Sequence, residues 1–191
     1  MEFLPIKIDD NNVYAGFGRR LGAVFIDLLI LAPTIVLFTY LDGLGMEAAI
    51  ASIVISTILY SLYSIYFHYK FGATLGKMAV DIKVTLPNGS KIGFKHALLR
   101  SSVDLVYALL TSTAHVIALT KVNSELYFDA NWQERILQLT ALLPAWAKTS
   151  EWLFQLWFWS EFIVLLLNKR KRALHDFIAG TVVIHKEYAK D

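Results

Sequence analysis

From Leu21 to Tyr40 the chain runs twenty residues that carry a single charge, Asp27. About 20 apolar residues suffice to cross a hydrocarbon core of roughly 30 Å, so the run reads as a transmembrane helix, and Asp27 stands where lipid would penalise it. Arg20 immediately precedes the run. Seven positions are nearly two helical turns, which puts Arg20 and Asp27 on almost the same face, about 10 Å apart along the axis. That face must be buried against protein or water.

Composition supports a membrane location. Of 191 residues 56% are hydrophobic and 18% charged, against roughly a quarter charged in soluble domains. The net charge of +2 is too small to suggest nucleic-acid binding. There is no cysteine, which excludes a disulfide framework and thiolate metal ligation. The polar leader with Asp9, Asp10, Asn11 and Asn12, and the absence of a small-residue cleavage site after the first apolar run, predict a retained helix and not a signal peptide.

Four stretches have spanning length: Leu21 to Tyr40, Ala48 to Phe67, Ser101 to Leu119 and Trp152 to Leu167. The last is short, and crossing would need local thinning or an extension back toward Pro144. Of the 18 Lys and Arg residues, three precede the first span, none lies between Leu41 and Glu47, six lie between His68 and Arg100, three between Thr120 and Glu151, and six follow Leu167. With four spans, fifteen fall on one side, and the positive-inside rule then places both termini in the cytoplasm. A soluble helical protein would not require that asymmetry.

Met78 to Leu86 alternates apolar and polar residues, and Pro87-Asn88-Gly89 follows as a turn signal. A small cytoplasmic β-hairpin is expected within residues 71–95, with the β-branched Thr181 to Ile184 able to add a strand. Trp132, Ile136, Leu139 and Leu143 recur at helical spacing, so residues 123–147 are expected as an amphipathic segment on the outer surface. The fold class that results is an all-α polytopic membrane protein with four transmembrane helices, and a small hairpin between the second and third spans.

Depth arithmetic adds polar candidates. Glu161 lies seven residues from Asn168 at the edge of the last span, so Asp27 and Glu161 share a depth of about 10 Å. If their helices pack, the two carboxylates could share a proton or a monovalent cation. Asp104 lies one turn from Arg100, as an i,i+4 partner. The alternative is that these residues are polar glue between helices. Gly18 and Gly22 form a GxxxG pair, and Ala48, Ser52 and Ser56 repeat every fourth residue; both permit close approach, within one chain or in a homo-oligomer.

Other motifs carry little. Gly72-Ala73-Thr74-Leu75-Gly76-Lys77 has three residues between its glycines where a phosphate loop has four, and Met78 stands in place of the hydroxyl residue. Asn88-Gly89-Ser90 fits a turn better than a glycosylation acceptor. The five histidines are scattered, no nucleophile–base pairing is evident, and neither an enzymatic activity nor a cofactor is expected. The basic run Lys169 to Arg172 sets topology, with attraction to anionic lipid as a secondary effect.

The chain resembles the RDD family of membrane proteins. The resemblance is carried by Gly16 to Ala23 with Ile26-Asp27, by Gly72 to Lys77 leading into Asp81 to Val84, by Arg100, and by Arg172 to Asp176 with Ala179 to Val183. The arginine and two aspartates that name the family fall on Arg20, Asp27 and Asp176. The resemblance implies a multi-pass protein of a bacterial-type cytoplasmic membrane, for which transport is usually proposed and assembly or recruitment is the alternative. Residues 121–159 match no family motif. Topology would place Asp176 on the side of Arg20, so pairing with Arg20, Arg100 or a loop lysine is expected.

Overall fold

In the computed structural model, which describes residues 2–190, three helices are long and apolar enough to cross a membrane: α1 (Phe17–Leu41), α2 (Met46–Phe71) and α5 (Ser102–Leu119). The other elements stand between and around them: β1 (Lys7–Ile8), β2 (Asn11–Asn12), α3 (Leu75–Ala79), β3 (Ile82–Thr85), α4 (Phe94–Arg100), α6 (Ser124–Asp129), α7 (Trp132–Leu142), α8 (Ala145–Leu167), α9 (Leu174–Ile178) and β4 (Val182–His185). The chain divides into two compact units.

The first unit holds residues 1–31, 62–103 and 156–191. Its centre is a small antiparallel sheet in which Val84 faces Val183 and Ile82 faces His185. Beyond β4 the chain at Val13 to Ala15 runs alongside, with Ala15 N–H donating to Val183 O at 2.9 Å and His185 N–H to Val13 O at 3.0 Å. Val13, Ala15, Ile82, Val84, Ile92, Val182, Val183 and Ile184 are almost wholly enclosed, so the unit has a true apolar core. The expected local hairpin is reduced to one bridge, Thr85 with Lys91. Pro87 has no N–H to extend the ladder, and past Ile92 the chain turns into α4. The tail strand β4, expected as an addition, is the principal partner of β3.

The second unit holds residues 32–61 and 104–155. Ala49, Leu119 and Tyr127 form its buried centre, and Tyr107 stacks on Phe154 at 3.8 Å. The segment expected as one amphipathic stretch divides into α6 and α7. Asn131 ends the continuity by capping α7, accepting from Gln133 and Glu134 N–H, while the Glu134 carboxylate accepts from Asn131 N–H.

The last long helix begins earlier than the apolar run at Trp152. Leu143 is extended before Pro144, as residues before proline are, and α8 starts at Ala145. Its 23 residues extend about 34 Å at 1.5 Å per residue. Lys148, Glu151 and Glu161 make it less apolar than the other three.

Candidate functional site

The first unit collects charged side chains from α1, α3, α4, α8 and α9, with Tyr63 and His68 of α2 among them. Asp176 sits in α9, wholly buried. Its Oδ2 accepts from Arg20 Nη1 at 2.8 Å and from Ala173 N–H at 2.9 Å; its Oδ1 accepts from Arg100 Nη1. Burial by itself would raise the Asp176 pKa. The Arg100 and Arg20 guanidinia outweigh it and hold the carboxyl well below the usual carboxylate range. Arg20 also donates through Nε to Ala15 O at 3.2 Å and through Nη2 to Lys171 O. Arg172 closes α9 from the other side, donating to Asp176 O at 2.9 Å and Thr181 O at 3.0 Å. One carboxylate thus joins the start of α1, the end of α4 and the tail.

Asp27 stands on the same helix as Arg20 and serves different partners. Its Oδ1 accepts from Tyr63 OH at 2.6 Å and from Gly76 N–H at 2.7 Å, and its Oδ2 accepts from Thr74 Oγ1 at 2.6 Å. Tyr63 OH in turn accepts from Leu75 N–H at 3.1 Å. The carboxylate therefore binds the first turn of α3, where helix N–H groups lack internal acceptors. Gly76 is required there: a Cβ would lie 2.0 Å from Ala23 O and 2.8 Å from Asp27 Cγ. The close approach read from Gly18 and Gly22 is found instead at Gly76, since a Cβ on Gly18 would meet open space and one on Gly22 only Val80 at 4.0 Å.

Glu161 faces α9, not Asp27. Its Oε1 accepts from His175 N–H at 2.9 Å, and its Oε2 lies 2.6 Å from His175 Nδ1. The other ring nitrogen, Nε2, lies 2.6 Å from Arg100 Nη2, which can only donate, so the proton of a neutral His175 is on Nδ1, while Glu161 Oε2, close as it is, stays buried with no hydrogen bond of its own. Burial and the Arg100 charge lower the His175 pKa, although its side chain keeps 27% of its surface. Depth gave the two carboxylates one level; their helix faces give them separate partners. Arg100 donates to Asp176 and to Thr181 Oγ1 at 3.0 Å, and its Nη2 lies 2.6 Å from His175 Nε2. Asp104 stands exposed in the first turn of α5.

A pair that the sequence did not single out completes the cluster. Lys77 Nζ lies 2.7 Å from His68 Nε2, while His68 Nδ1 lies 2.7 Å from Ser64 O. The carbonyl can only accept, so Nδ1 carries the proton and Nε2 receives the lysine's. Burial, then the charges of Arg100 and Arg20, push the Lys77 pKa well below its ordinary value. Spacing could not have found this contact: His68 is on α2 and Lys77 on α3, beyond the turn at Gly72, whose φ of +72° favours glycine.

No curated protein and no solved structure matches the chain. The model of the RDD family matches residues 14–180, from just before the Arg20 helix to just past Asp176. That range takes in every contact described above except those of Thr181 and the strand it opens, and the chain belongs to the RDD family of apolar-helix, membrane-type proteins.

Proposed function

We propose that this protein is a non-enzymatic membrane scaffold of four spans with both termini cytoplasmic, in a bacterial-type cytoplasmic membrane, whose acidic residues hold a cytoplasmic cap on the helix ends. Strand pairing supports the topology. β3 lies between α2 and α5, β4 follows α8, and residues 13–15 precede α1; all three run side by side. Chain segments that pair lie on one side of the bilayer, so an even number of crossings separates each from the next. α1 and α2 supply two, and α5 then requires one more, for which α8 has the length. The charge asymmetry of the sequence gives that side as cytoplasmic.

The observation that carries the scaffold reading is the saturation of Asp27, whose two oxygens take three donors at 2.6–2.7 Å from Tyr63, Thr74 and Gly76. A carboxylate so held orders a loop; to carry a cation it would have to release it. Reconstituted in liposomes, the protein should pass neither Na⁺ nor protons above the empty-vesicle rate. Asp27→Ala should render the 72–79 loop sensitive to trypsin at Lys77. Flux abolished by Asp27→Asn would overturn the reading.

One observation favours transport of a proton or monovalent cation. The Glu161–His175 pair joins a titratable ring, whose side chain is part-exposed, to a buried carboxylate oxygen at 2.6 Å, an arrangement that can take up and release a proton. Under that reading the charge-bearing groups are Glu161 and His175, with Asp27 and Asp104 peripheral, and a homo-oligomer would supply the pathway that four helices enclose poorly. Proton flux lost in Glu161→Gln and retained in Asp27→Asn would select it.

A further inference from the structure

The basic residues Lys169 and Lys171 do more than bias topology. Together with Arg19 they line a cavity of about 180 Å³ that also receives Asn12 and His185. No carboxylate lines it, and among the described residues none of the three cations is in an ion pair. Asp176 is committed to Arg20 and Arg100 and Glu161 to His175; Asp81 and Glu187 line an adjoining cavity, where they share Arg19 and His185, so Lys169 and Lys171 carry the uncompensated charge of this one. Arg19 Nη1 donates to Val80 O and Lys171 Nζ to Leu166 O, both at 3.4 Å and both carbonyls that leave the charge unneutralised; three cations lining one concavity repel one another, and an anion would relieve that.

The backbone beneath them is held in an unusual shape. Lys171 has φ of +50°, a left-handed conformation that non-glycine residues rarely adopt. Its N–H is bound to Asn168 O at 2.9 Å and its carbonyl to Arg20 Nη2, so neighbouring groups fix the conformation. Strain of this kind persists where the surroundings over-determine it, and it is common at ligand clamps.

Placement indicates the class of anion. Lys169 follows two residues after the end of α8, whose final residues Leu166 and Leu167 are 56% and 80% exposed. Arg19 opens α1, whose Val24, Phe25, Leu28 and Leu29 are all more than half exposed. Such apolar surfaces belong in hydrocarbon, and the cavity lies one turn beyond them, at headgroup level. We propose that this cavity binds a phosphate group, supplied by the headgroup of an anionic phospholipid. The site is independent of whether the helices scaffold or transport.

The test uses the full chain purified in a non-ionic detergent, with the unfolding temperature read by tryptophan fluorescence. Phosphatidylglycerol, phosphatidylcholine and inorganic phosphate are titrated separately. Phosphatidylglycerol should raise the unfolding temperature at lower concentrations than phosphatidylcholine. The double variant Lys169→Gln, Lys171→Gln should need about tenfold more of it for the same rise. A control double variant with the same charge change outside the cavity, Lys95→Gln, Lys148→Gln, should respond as the native chain. Protection by phosphatidylglycerol with little from inorganic phosphate identifies a headgroup; equal protection by both identifies a free phosphate in the same site. Absence of protection by either probe, or equal protection of the native chain and the cavity variant, overturns the proposal.

Discussion

Asp176 shows how one residue's energetics depend on its company. A buried carboxylate is costly alone, and here two guanidinia from distant parts of the chain neutralise it. Asp176→Asn leaves Arg20 and Arg100 facing each other across an amide, and should cost about 3–5 kcal/mol in detergent unfolding. The pH dependence has a definite sign. Asp176 has a folded pKa well below its unfolded value of about 3.9, so its stabilisation is complete above that value and is lost as pH falls through the folded pKa. His175 acts at higher pH. Its folded pKa lies below the unfolded value of about 6.5, so the unfolded chain binds a proton that the folded one refuses, and stability declines as pH falls from that value. The slope it contributes, at most about 1.4 kcal/mol per pH unit, should vanish in His175→Gln when unfolding is followed between pH 7.5 and 5.5.

At the scale of elements, α3, a helix of five residues, depends on its neighbours, being too short to be stable alone. Thr74 caps it, Asp27 and Tyr63 receive its first N–H groups, and Gly76 lets it lie on α1. Gly76→Ala would drive a methyl into Ala23 O, a backbone atom that cannot swing aside, and should destabilise by about 1–3 kcal/mol or more. Gly18→Ala, which meets open space, should be neutral or slightly stabilising; equal unfolding temperatures for the two variants would contradict the packing described. These elements were unequally legible in the sequence. Apolar runs, Arg20 and Asp27 could be read directly, because hydropathy is local, whereas Asp176 stood out only through the resemblance to the family. The union of Asp176 with Arg20 was open among several cations, since only topology brought them to one side. Depth along a helix suggested that Asp27 and Glu161 meet, but depth says nothing of which face each presents. The His68–Lys77 contact depends on a turn at Gly72 and on burial, neither of which leaves a periodic signal.

Over the whole molecule, strand pairing and helix count constrain one another. The β3–β4 ladder joins a segment before α5 to one after α8, and residues 13–15 join the same sheet from before α1. A tail on the outer side would have to break eight residues of pairing and expose Val182, Val183 and Ile184, each now wholly buried. Fully burying such side chains stabilises by about 1.5–3 kcal/mol apiece, so the cap and the topology stand or fall together. The chain has no cysteine, which makes the arrangement directly measurable. Single cysteines at four exposed positions, Glu47→Cys, Lys95→Cys, Lys121→Cys and Lys190→Cys, report four different parts of the path. With a membrane-impermeant maleimide on intact cells, Glu47→Cys and Lys121→Cys should be labelled, and Lys95→Cys and Lys190→Cys only after permeabilisation. Lys190→Cys labelling together with Lys121→Cys would mean that α8 does not cross, and the β3–β4 pairing could not then exist in the membrane-inserted protein.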